Sequence, residues 1–448
     1  MNRPARIAIV GAGPAGFYCA QHLLDRRDLD VEIDLFDRLP APGGLVRYGV
    51  APDHPEKKLI GEGLFRLLLA RPELRFLGHV EIGAHLQPAE LRAWYDAVVF
   101  SSGADGEAPL GIPGEGLAGS VAAHEFVGWY NGRPDQRRPT FDLACERAVI
   151  FGAGNVALDV ARMLTLPPQA LARTDIASAA LDVLRESRVR EVVVAARRGW
   201  RRSAFHAPEF EELLEMDDVE LVVDGVAAED VAGDEADFNQ RLKNRILHRI
   251  RARRVAAPRK RIVFRYLVSP LALQGEGGVR SVLFGRNRLT AEDRAEPTGE
   301  TFALEAGLVV RATGLRGRAV AGLPFDADRG LIPNAGGRVL ADDGAVMPGV
   351  YAAGWIKRGP SGVIGSNKKC AGQSMSALIA DLGAAPAQAE RPSAAWVRNE
   401  IARRQPHLVL LQDWLAIDRA EKQAGRARRK PREKFTDVDA MLRQALCA

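Results

Sequence analysis

The sequence predicts an α/β fold of two doubly wound, mostly parallel sheets, with the second domain inserted into the first. Two stretches, beginning at Ile7 and at Ala148, each carry a short apolar strand, a glycine-rich turn and an apolar helix. The first stretch lacks enough strands for a complete doubly wound sheet. A further apolar strand, 349–353, follows only after the second stretch, so we expect the C-terminal part to complete the first sheet. We place the three parts at 1–106, 107–330 and 331–448.

Length, charge and cysteine usage narrow the class of protein. A chain of 448 residues with a net charge of +5 exceeds what one hydrophobic core normally holds. Its cysteines, Cys19, Cys145, Cys370 and Cys447, are isolated, and the absence of C-x-x-C excludes a redox-active dithiol, a cysteine-ligated cluster and a zinc ribbon. The sequence has no apolar run long enough to span a membrane. Because the first predicted strand begins a few residues after Met1, we expect no targeting segment. We expect a cytoplasmic protein with no metal, no nucleic-acid partner and no membrane insertion.

The first glycine-rich turn has the spacing G-x-G-x-x-G, with Gly11, Gly13 and Gly16. The first glycine makes a tight turn, the second lets the backbone approach a pyrophosphate, and the third lets helix and strand pack closely. Asp37 ends the next predicted strand, 31–36, where a carboxylate would accept hydrogen bonds from an adenosine ribose. The turn alone is weak evidence, but strand, turn, helix, strand and acid in this order indicate a dinucleotide site.

The second turn reads G-x-G-x-x-A, with Gly152, Gly154 and Ala157. The following strand of this unit, 191–196, ends in Arg197 and Arg198 instead of an acid. Arginine at this position favours the 2′-phosphate of NADP, whereas an acid favours the free ribose of NAD. The alternative is that a charged pair simply marks the surface end of a strand.

Longer strings carry a resemblance to a known family. G-A-G-P-A-G-F-Y at 11–18, A-P-D-H-P-E at 51–56, F-V-G-W-Y-N-G at 126–132 and G-W-I-K-R-G-P-S-G-V-I-G at 354–365 resemble the adrenodoxin reductase-like ferredoxin–NADP reductases. The resemblance covers nearly the whole chain. It implies an FAD domain interrupted by an NADP domain, and an enzyme that moves electrons between NADPH and a ferredoxin-type iron–sulfur protein by hydride transfer to FAD and then one-electron transfers.

Other functions stay open at this point. One alternative is an NADPH-dependent flavin reductase that delivers electrons to quinones or other small acceptors. Another is a nucleotide-binding sensor or scaffold without enzymatic activity. A yellow protein that bleaches under NADPH would exclude the sensor.

The motifs and the resemblance together give the candidate site residues. Those expected at FAD are Gly11, Gly13, Ala15, Gly16, Asp37, Gly44, Leu45, Val80, Gly354, Trp355, Gly362, Val363 and Ile364. Those expected at NADP are Gly152, Gly154, Asn155, Val156, Arg197, Arg198, Glu209 and Gly362. The resemblance also implies that His54 and Glu212 form an active-site pair near the flavin.

Plain structural interpretations compete with several of these assignments. His54 alone would be an exposed loop histidine, Glu209 and Glu212 a solvated acidic helix face, and Trp355 a packing aromatic. The chain also departs from the family pattern in the basic run Trp200–Arg202 and at His206, where a threonine is common. These departures fall beside the expected 2′-phosphate pocket.

A basic segment, 241–261, holds ten lysines and arginines and no acid. Apolar residues among the bases predict one amphipathic helix with a basic outer face. Arg241, Arg245 and Arg249 share one side of that helix, and we expect them to dock a small acidic ferredoxin. The alternatives are a solvated charged face, with docking instead at Arg47 or near Lys357 and Lys368.

Overall fold

The computed structural model describes residues 3–136, 141–226, 237–362, 365–384 and 391–446. The strands in these ranges are β1 (Ala5–Val10), β2 (Val31–Phe36), β3 (Leu74–Leu77), β4 (Ala97–Phe100), β5 (Gly106–Glu107), β6 (Ser120–Ala122), β7 (Arg147–Phe151), β8 (Glu191–Ala196), β9 (Val219–Asp224), β10 (Lys260–Tyr266), β11 (Val268–Gln274), β12 (Ser281–Leu289), β13 (Ala295–Glu305), β14 (Leu308–Arg311), β15 (Leu315–Arg316), β16 (Asn334–Ala335), β17 (Arg338–Leu340) and β18 (Val346–Ala352).

The helices in the same ranges are α1 (Pro14–Leu24), α2 (Leu45–Tyr48), α3 (Pro55–Leu69), α4 (Pro88–Trp94), α5 (Ala123–Asn131), α6 (Asn155–Thr165), α7 (Pro168–Leu171), α8 (Ser178–Arg185), α9 (Ala207–Leu214), α10 (Phe238–Ala252), α11 (Trp355–Arg358), α12 (Ser366–Ala384), α13 (Ala394–Arg404), α14 (Leu411–Ala427) and α15 (Val438–Leu446). A short 3₁₀ turn spans Trp200–Arg202. None of the described helices is both long enough and apolar enough to cross a membrane.

The chain forms two compact units, and the second lies within the sequence of the first. The first unit holds the residues up to 107, a short piece from 131 and everything from 314 onward. Its main sheet has the order β16-β17-β18-β4-β1-β2-β3, in which the last five are parallel. β18 pairs with β4, so the C-terminal part completes the first sheet, as the sequence predicts.

The core of the first unit fills both faces of this sheet, because neighbouring strand residues point to opposite sides. One cluster gathers Ile7 and Ile9 with α1 and α12, and the other gathers Ala8 and Val10 with α4. β1 is buried on both faces, as expected for a central parallel strand.

The second unit holds 108–130 and, from 138, the chain to 313. Its six-stranded sheet, β6-β14-β7-β8-β10-β9, is parallel throughout. A separate antiparallel sheet, β11-β12-β13, packs its apolar side chains with those of the parallel sheet in one core. The predicted α/β fold with two doubly wound units is therefore confirmed.

Two details differ from the sequence-based expectation. The sequence also predicts a short strand at 80–82, but no strand forms there, because Val80 N–H donates to the Asp37 carbonyl at 2.8 Å and leaves the sheet. The segment 314–330, predicted to belong with the second domain, clusters with the first unit. There β15 pairs with β5, and Gly317 N–H donates to the Gly330 carbonyl at 3.0 Å.

Candidate cofactor sites

The first glycine turn lies where the sheet of its unit reverses its winding direction. β1 has β2 on one side and β4 on the other, and ligands of doubly wound sheets bind at such a switch point. Gly11 has φ +109°, and a β-carbon on it would lie 2.6 Å from the carbonyl oxygen of Ser101, at the end of β4. A β-carbon on Gly16 would lie 2.1 Å from the Gly11 carbonyl oxygen, so α1 packs directly on the turn. Only glycine fits these two positions.

Asp37 holds the same turn from the end of β2. Its Oδ2 accepts a hydrogen bond from Ala12 N–H at 2.9 Å, and its Oδ1 accepts one from Leu39 N–H at 2.9 Å. Burial raises the pKa of Asp37, against the lowering by these N–H groups. A carboxylate has about four acceptor positions, so this one retains acceptor capacity for a ribose hydroxyl. Val80 packs in the core beside it.

Two further loops approach the first turn. A β-carbon on Gly44 would lie 2.9 Å from the Gly13 α-carbon, and Leu45 begins α2 directly afterwards. A β-carbon on Gly354 would lie 2.5 Å from the β-carbon of Ala15, in the first turn of α1. Bare backbone therefore lines this edge of the sheet, as a bound dinucleotide requires.

Trp355 supplies a polar group without a partner. It begins α11 after Gly354, and its Nε1 is buried without an acceptor among the described residues. Buried indole N–H groups normally have a partner. An acceptor on a bound cofactor would satisfy it, so these residues fit FAD.

The loop between α11 and α12 is tied to both helices. Arg358 Nη1 donates to Ser361 Oγ at 2.9 Å, and its Nη2 donates to Asn367 Oδ1 at 3.1 Å. Gly362 has φ +77°, and a β-carbon there would lie 2.4 Å from Ser366 Oγ. The candidates Val363 and Ile364 lie outside the described residues.

The second glycine turn repeats this geometry in its own unit. β7 lies between β14 and β8, which again is a switch point. Gly152 has φ +111°, and a β-carbon on it would lie 2.4 Å from the Ala312 carbonyl oxygen, just after β14. Gly154 precedes α6, and Ala157 is fully buried in its first turn. Val156 is 41% exposed, an apolar side chain left open beside the turn.

Arg197 and Arg198 follow β8 and are both exposed. Their position at the carboxyl end of a strand beside the glycine turn suits a phosphate on the adenosine ribose. The structure thus leaves two guanidinium groups where the first unit has one carboxylate.

The departure at His206 has a structural consequence. Asn155 Oδ1 accepts a hydrogen bond from His206 N–H at 2.8 Å, and Asn155 Nδ2 lies 3.2 Å from His206 Nδ1. The Asn155 side chain therefore joins the glycine turn to the segment that begins α9.

The two predicted active-site residues lie in different units. His54 immediately precedes α3, and its side chain is buried, so the exposed-loop interpretation is wrong. Lys57 Nζ lies 3.4 Å from its Nδ1. Glu212 lies on α9, where its carboxylate is 3.2 Å from Nη1 of the buried Arg162. Glu209 precedes it by three residues on the same helix and is half-buried. The proposed pairing of His54 with Glu212 stays a prediction.

Arg162 is a residue that sequence reasoning missed. It is buried on α6 and also bonds to Asp159 at 2.7 Å. The sequence signal that could have identified Arg162 is a single arginine within an apolar helix that follows a glycine turn. Its burial under Glu212 depends on how α6 and α9 pack, which local sequence does not reveal.

The basic segment forms the predicted amphipathic helix over its first part, α10. Ile246, Leu247 and Ile250 are buried, whereas Arg241, Arg245 and Arg249 are exposed. Arg249 forms an ion pair with Glu211 at 3.2 Å. The helix therefore presents a basic outer face to solvent.

Two of the alternative docking residues are not available on the surface. Arg47 is buried and binds the buried carboxylate of Glu421 at 2.5 Å. Lys357 is buried and donates to Gln373 Oε1 at 2.8 Å and to Ser374 Oγ at 3.0 Å. The charges of Arg47 and Lys357 point into the first unit, so neither is a docking cation. Lys368 is exposed, and docking near it stays a prediction.

Comparison with known proteins places this geometry in context. The family model described as pyridine nucleotide-disulphide oxidoreductase matches residues 5–365. The NADPH-ferredoxin reductase FprA of Mycobacterium tuberculosis is 44% identical over 99% of this chain and 100% of its own. The mitochondrial NADPH:adrenodoxin oxidoreductase of Mus musculus is 38% identical over 99% of this chain and 92% of its own. A structure of M. tuberculosis FprA in complex with NADPH matches with a TM-score of 0.93, covering 99% of this chain and all of that one.

Proposed function

The chain belongs to the pyridine nucleotide-disulphide oxidoreductase family, and from that premise we propose that it is an FAD-containing NADPH:ferredoxin oxidoreductase. It moves electrons between NADPH and a ferredoxin-type iron–sulfur protein. The observation that carries this function is the full-length likeness to NADPH-ferredoxin reductase in both sequence and structure. That likeness favours an iron–sulfur acceptor over quinones or other small acceptors.

The disulphide in the family's name does not describe this chain's chemistry. Cys19, Cys145 and Cys370 are free thiols in the described part of the chain, and Cys19 and Cys370 are buried. The sequence contains no C-x-x-C. The sequence therefore lacks the adjacent dithiol pair that a C-x-x-C relay between flavin and acceptor uses.

Each compact unit has a proposed cofactor. We assign FAD to the unit with the Gly11 turn, held by Asp37, Gly44, Gly354 and Trp355. We assign NADP(H) to the unit with the Gly152 turn, held by Arg197 and Arg198. Flavin chemistry would supply the change from two-electron to one-electron transfer when FAD is bound. The domain limits 1–106, 107–330 and 331–448 stay a proposal, which can be compared with the limits of the two compact units described above.

His54 and Glu212 have a proposed role in proton management and positioning. Hydride transfer needs no general acid, so the histidine would tune the reaction and orient its participants. Arg162 would orient the Glu212 carboxylate through the ion pair described above.

The partner is proposed to be a small acidic ferredoxin that docks on α10. The support is the exposed basic face with Arg241, Arg245 and Arg249. Opposite surface potentials speed encounter and orient the two proteins. A cytoplasmic location is proposed with it.

The purified protein tests the cofactor assignment directly. We expect a yellow protein whose flavin absorbance bleaches when NADPH is added without oxygen. Acid precipitation should release all the flavin into the supernatant as FAD, because the site binds by backbone contacts and hydrogen bonds. A colourless protein, or flavin retained in the pellet, would contradict the proposal.

A further inference from the structure

The segment that follows β8 carries the two arginines assigned to the 2′-phosphate and then turns sharply. Trp200 begins the turn and is fully buried. Its ring lies 5.4, 5.6 and 5.7 Å from those of Phe205, Phe210 and Tyr266. This aromatic anchor fixes one end of the turn while the arginine side chains before it stay exposed.

Asn287 holds the start of the segment by its backbone. Its Nδ2 donates to the Arg197 carbonyl at 3.1 Å and to Ser269 Oγ at 2.8 Å. The side chain is buried within the antiparallel sheet, where β12 shifts register between Gly285 and Asn287. A buried amide in a strand irregularity is a fixed donor, since moving it would leave polar groups unpaired.

Lys243 holds the end of the segment in the same way. Its Nζ donates to the Ser203 carbonyl at 2.8 Å and to the Arg201 carbonyl at 3.1 Å. The ammonium also lies 5.4 Å from the centre of the Phe205 ring. Burial lowers the pKa of Lys243, although Asp237 raises it. A lysine on a basic helix would normally extend into water, so this one contributes here as a hydrogen-bond donor.

The contacts share one property. The three bonds that Asn287 and Lys243 donate to the segment reach backbone carbonyls, at residues 197, 201 and 203, and none uses an arginine side chain of the exposed pair. The backbone path is thereby fixed while the guanidinium groups remain available to an anion. Arg202 is held separately by an ion pair with Asp293.

We propose that Lys243 and Asn287 are positioning residues that shape the 2′-phosphate site of NADPH by clamping the backbone of 197–203. The inference rests on the proposed function, since it takes Arg197 and Arg198 as the phosphate ligands. Because Lys243 lies on α10, the helix proposed to receive ferredoxin is bonded directly to the turn that selects NADPH over NADH.

The test measures binding of two fragments to the FAD-loaded protein by calorimetry. 2′-AMP carries the phosphate in question, and 5′-AMP does not. Lys243→Met keeps the aliphatic stem and removes the donors. It should weaken 2′-AMP binding about tenfold, a size typical of a displaced binding group, and leave 5′-AMP binding within about twofold. Lys243→Arg should restore much of the loss.

Arg251→Met is the matched control. It removes one positive charge from the same helix, but its hydrogen bond goes to the Val226 carbonyl, away from the segment. It should bind both fragments like the parent protein. If it weakens 2′-AMP binding as much as Lys243→Met does, net charge explains the effect and the clamp is wrong.

Asn287→Ser provides an independent second variant. It should also weaken 2′-AMP selectively, whether or not Lys243→Met retains FAD. Unchanged 2′-AMP binding in both variants overturns the clamp, and so does an equal loss of 2′-AMP and 5′-AMP. The double variant Arg197→Ala with Arg198→Ala tests the premise that these arginines bind the phosphate. Normal 2′-AMP binding in that variant would overturn the phosphate assignment itself.

Discussion

Arg197 and Arg198 stand at the position in the second unit that Asp37 holds in the first. Each follows the second strand of a strand–turn–helix–strand unit. Asp37 is tied to its turn by two backbone N–H groups, whereas the arginine side chains are exposed. With the cofactors proposed above, the same fold would offer a hydrogen-bond acceptor for a ribose in one unit and cations for a phosphate in the other.

Replacing both arginines should remove most of the preference for NADPH. Charge-assisted hydrogen bonds to a phosphate are worth about 1.5–3 kcal/mol each, so the double alanine variant should lose on the order of a hundredfold in kcat/KM for NADPH. The value for NADH should barely change. Arg185→Ala, which removes an exposed arginine of α8, should leave both values alone. Unaltered NADPH kinetics in the double variant would refute the phosphate assignment.

His54→Gln should change the rate of flavin reduction without changing FAD content. The histidine is buried before α3, and glutamine keeps a polar side chain there but lacks an ionisable imidazole. Stopped-flow reduction by NADPH should be slower, and its pH profile flatter, than in the parent protein. A rate and profile identical to the parent would return His54 to a purely structural role.

At the scale of single elements, the basic face of α10 is expected to make ferredoxin reduction depend on salt. Ferredoxin reduction should fall steeply with salt, because the Debye length shrinks from about 10 Å at 0.1 M to about 3 Å at 1 M. Reduction of benzoquinone, a neutral small acceptor, should barely change. Arg241→Glu with Arg245→Glu should reproduce the high-salt loss at low salt and leave NADPH kinetics intact.

The control for that pair is Arg251→Glu with Arg254→Glu. It reverses the same number of charges at the C-terminal end of α10, with Arg254 just beyond the last helical residue. If the control loses as much ferredoxin activity as the test pair, general charge and not the outer face explains the effect. Normal ferredoxin kinetics in the test pair would move docking elsewhere.

Elements with strong local signals could be predicted closely. β8 has the predicted limits, and the apolar run 97–100, which predicts a strand, forms β4, because short β-branched runs between turns favour buried parallel strands. The apolar run 262–268 predicts one strand, but the chain there splits into β10 and β11 at Leu267, which has φ +58°. The antiparallel sheet was not predicted as a sheet. Its pairing is long-range, and β13 is largely exposed, so its sequence lacks an apolar pattern.

The candidate site residues likewise include some that local sequence predicts and others that it does not. Both glycine turns follow from spacing, because the steric need for glycine is local. The clamp by Lys243 and Asn287, and the burial of Arg162, follow from contacts between distant segments, which spacing does not encode. Arg47 was taken for a surface cation for the same reason, since its partner Glu421 is far along the chain.

At the scale of the whole molecule, buried ion pairs tie the C-terminal helices to the first unit. Asp418 of α14 accepts from Arg432 at 2.9 Å and from Lys422 at 2.8 Å, and Arg432 also binds Glu62 of α3. Burial raises the pKa of Asp418, but Lys422, Arg432 and Arg66 together lower it to about 2. Its stabilising effect is therefore present at neutral pH and is lost as pH falls from about 4 towards about 2.

Asp418→Asn should show this pH dependence. The parent protein should be more stable than the variant at neutral pH. The difference in the free energy of unfolding should shrink by roughly 0.5–1 kcal/mol between pH ~5 and pH ~3, allowing for solvent screening. Urea unfolding followed by circular dichroism measures it. Asp439→Asn, an exposed acid on α15, serves as the comparison, and a gap for Asp418→Asn that stays constant over this range would contradict the assignment.

The central claim is that electrons pass from NADPH through FAD to an iron–sulfur partner. The most direct measurement is anaerobic stopped-flow absorbance of the FAD-loaded protein mixed with NADPH and a purified ferredoxin from the same organism. We predict flavin bleaching followed by ferredoxin reduction that is catalytic in enzyme, and faster at low salt than with an equal concentration of benzoquinone. Rapid flavin reduction and quinone turnover, with every ferredoxin of the organism left oxidised, would contradict the account.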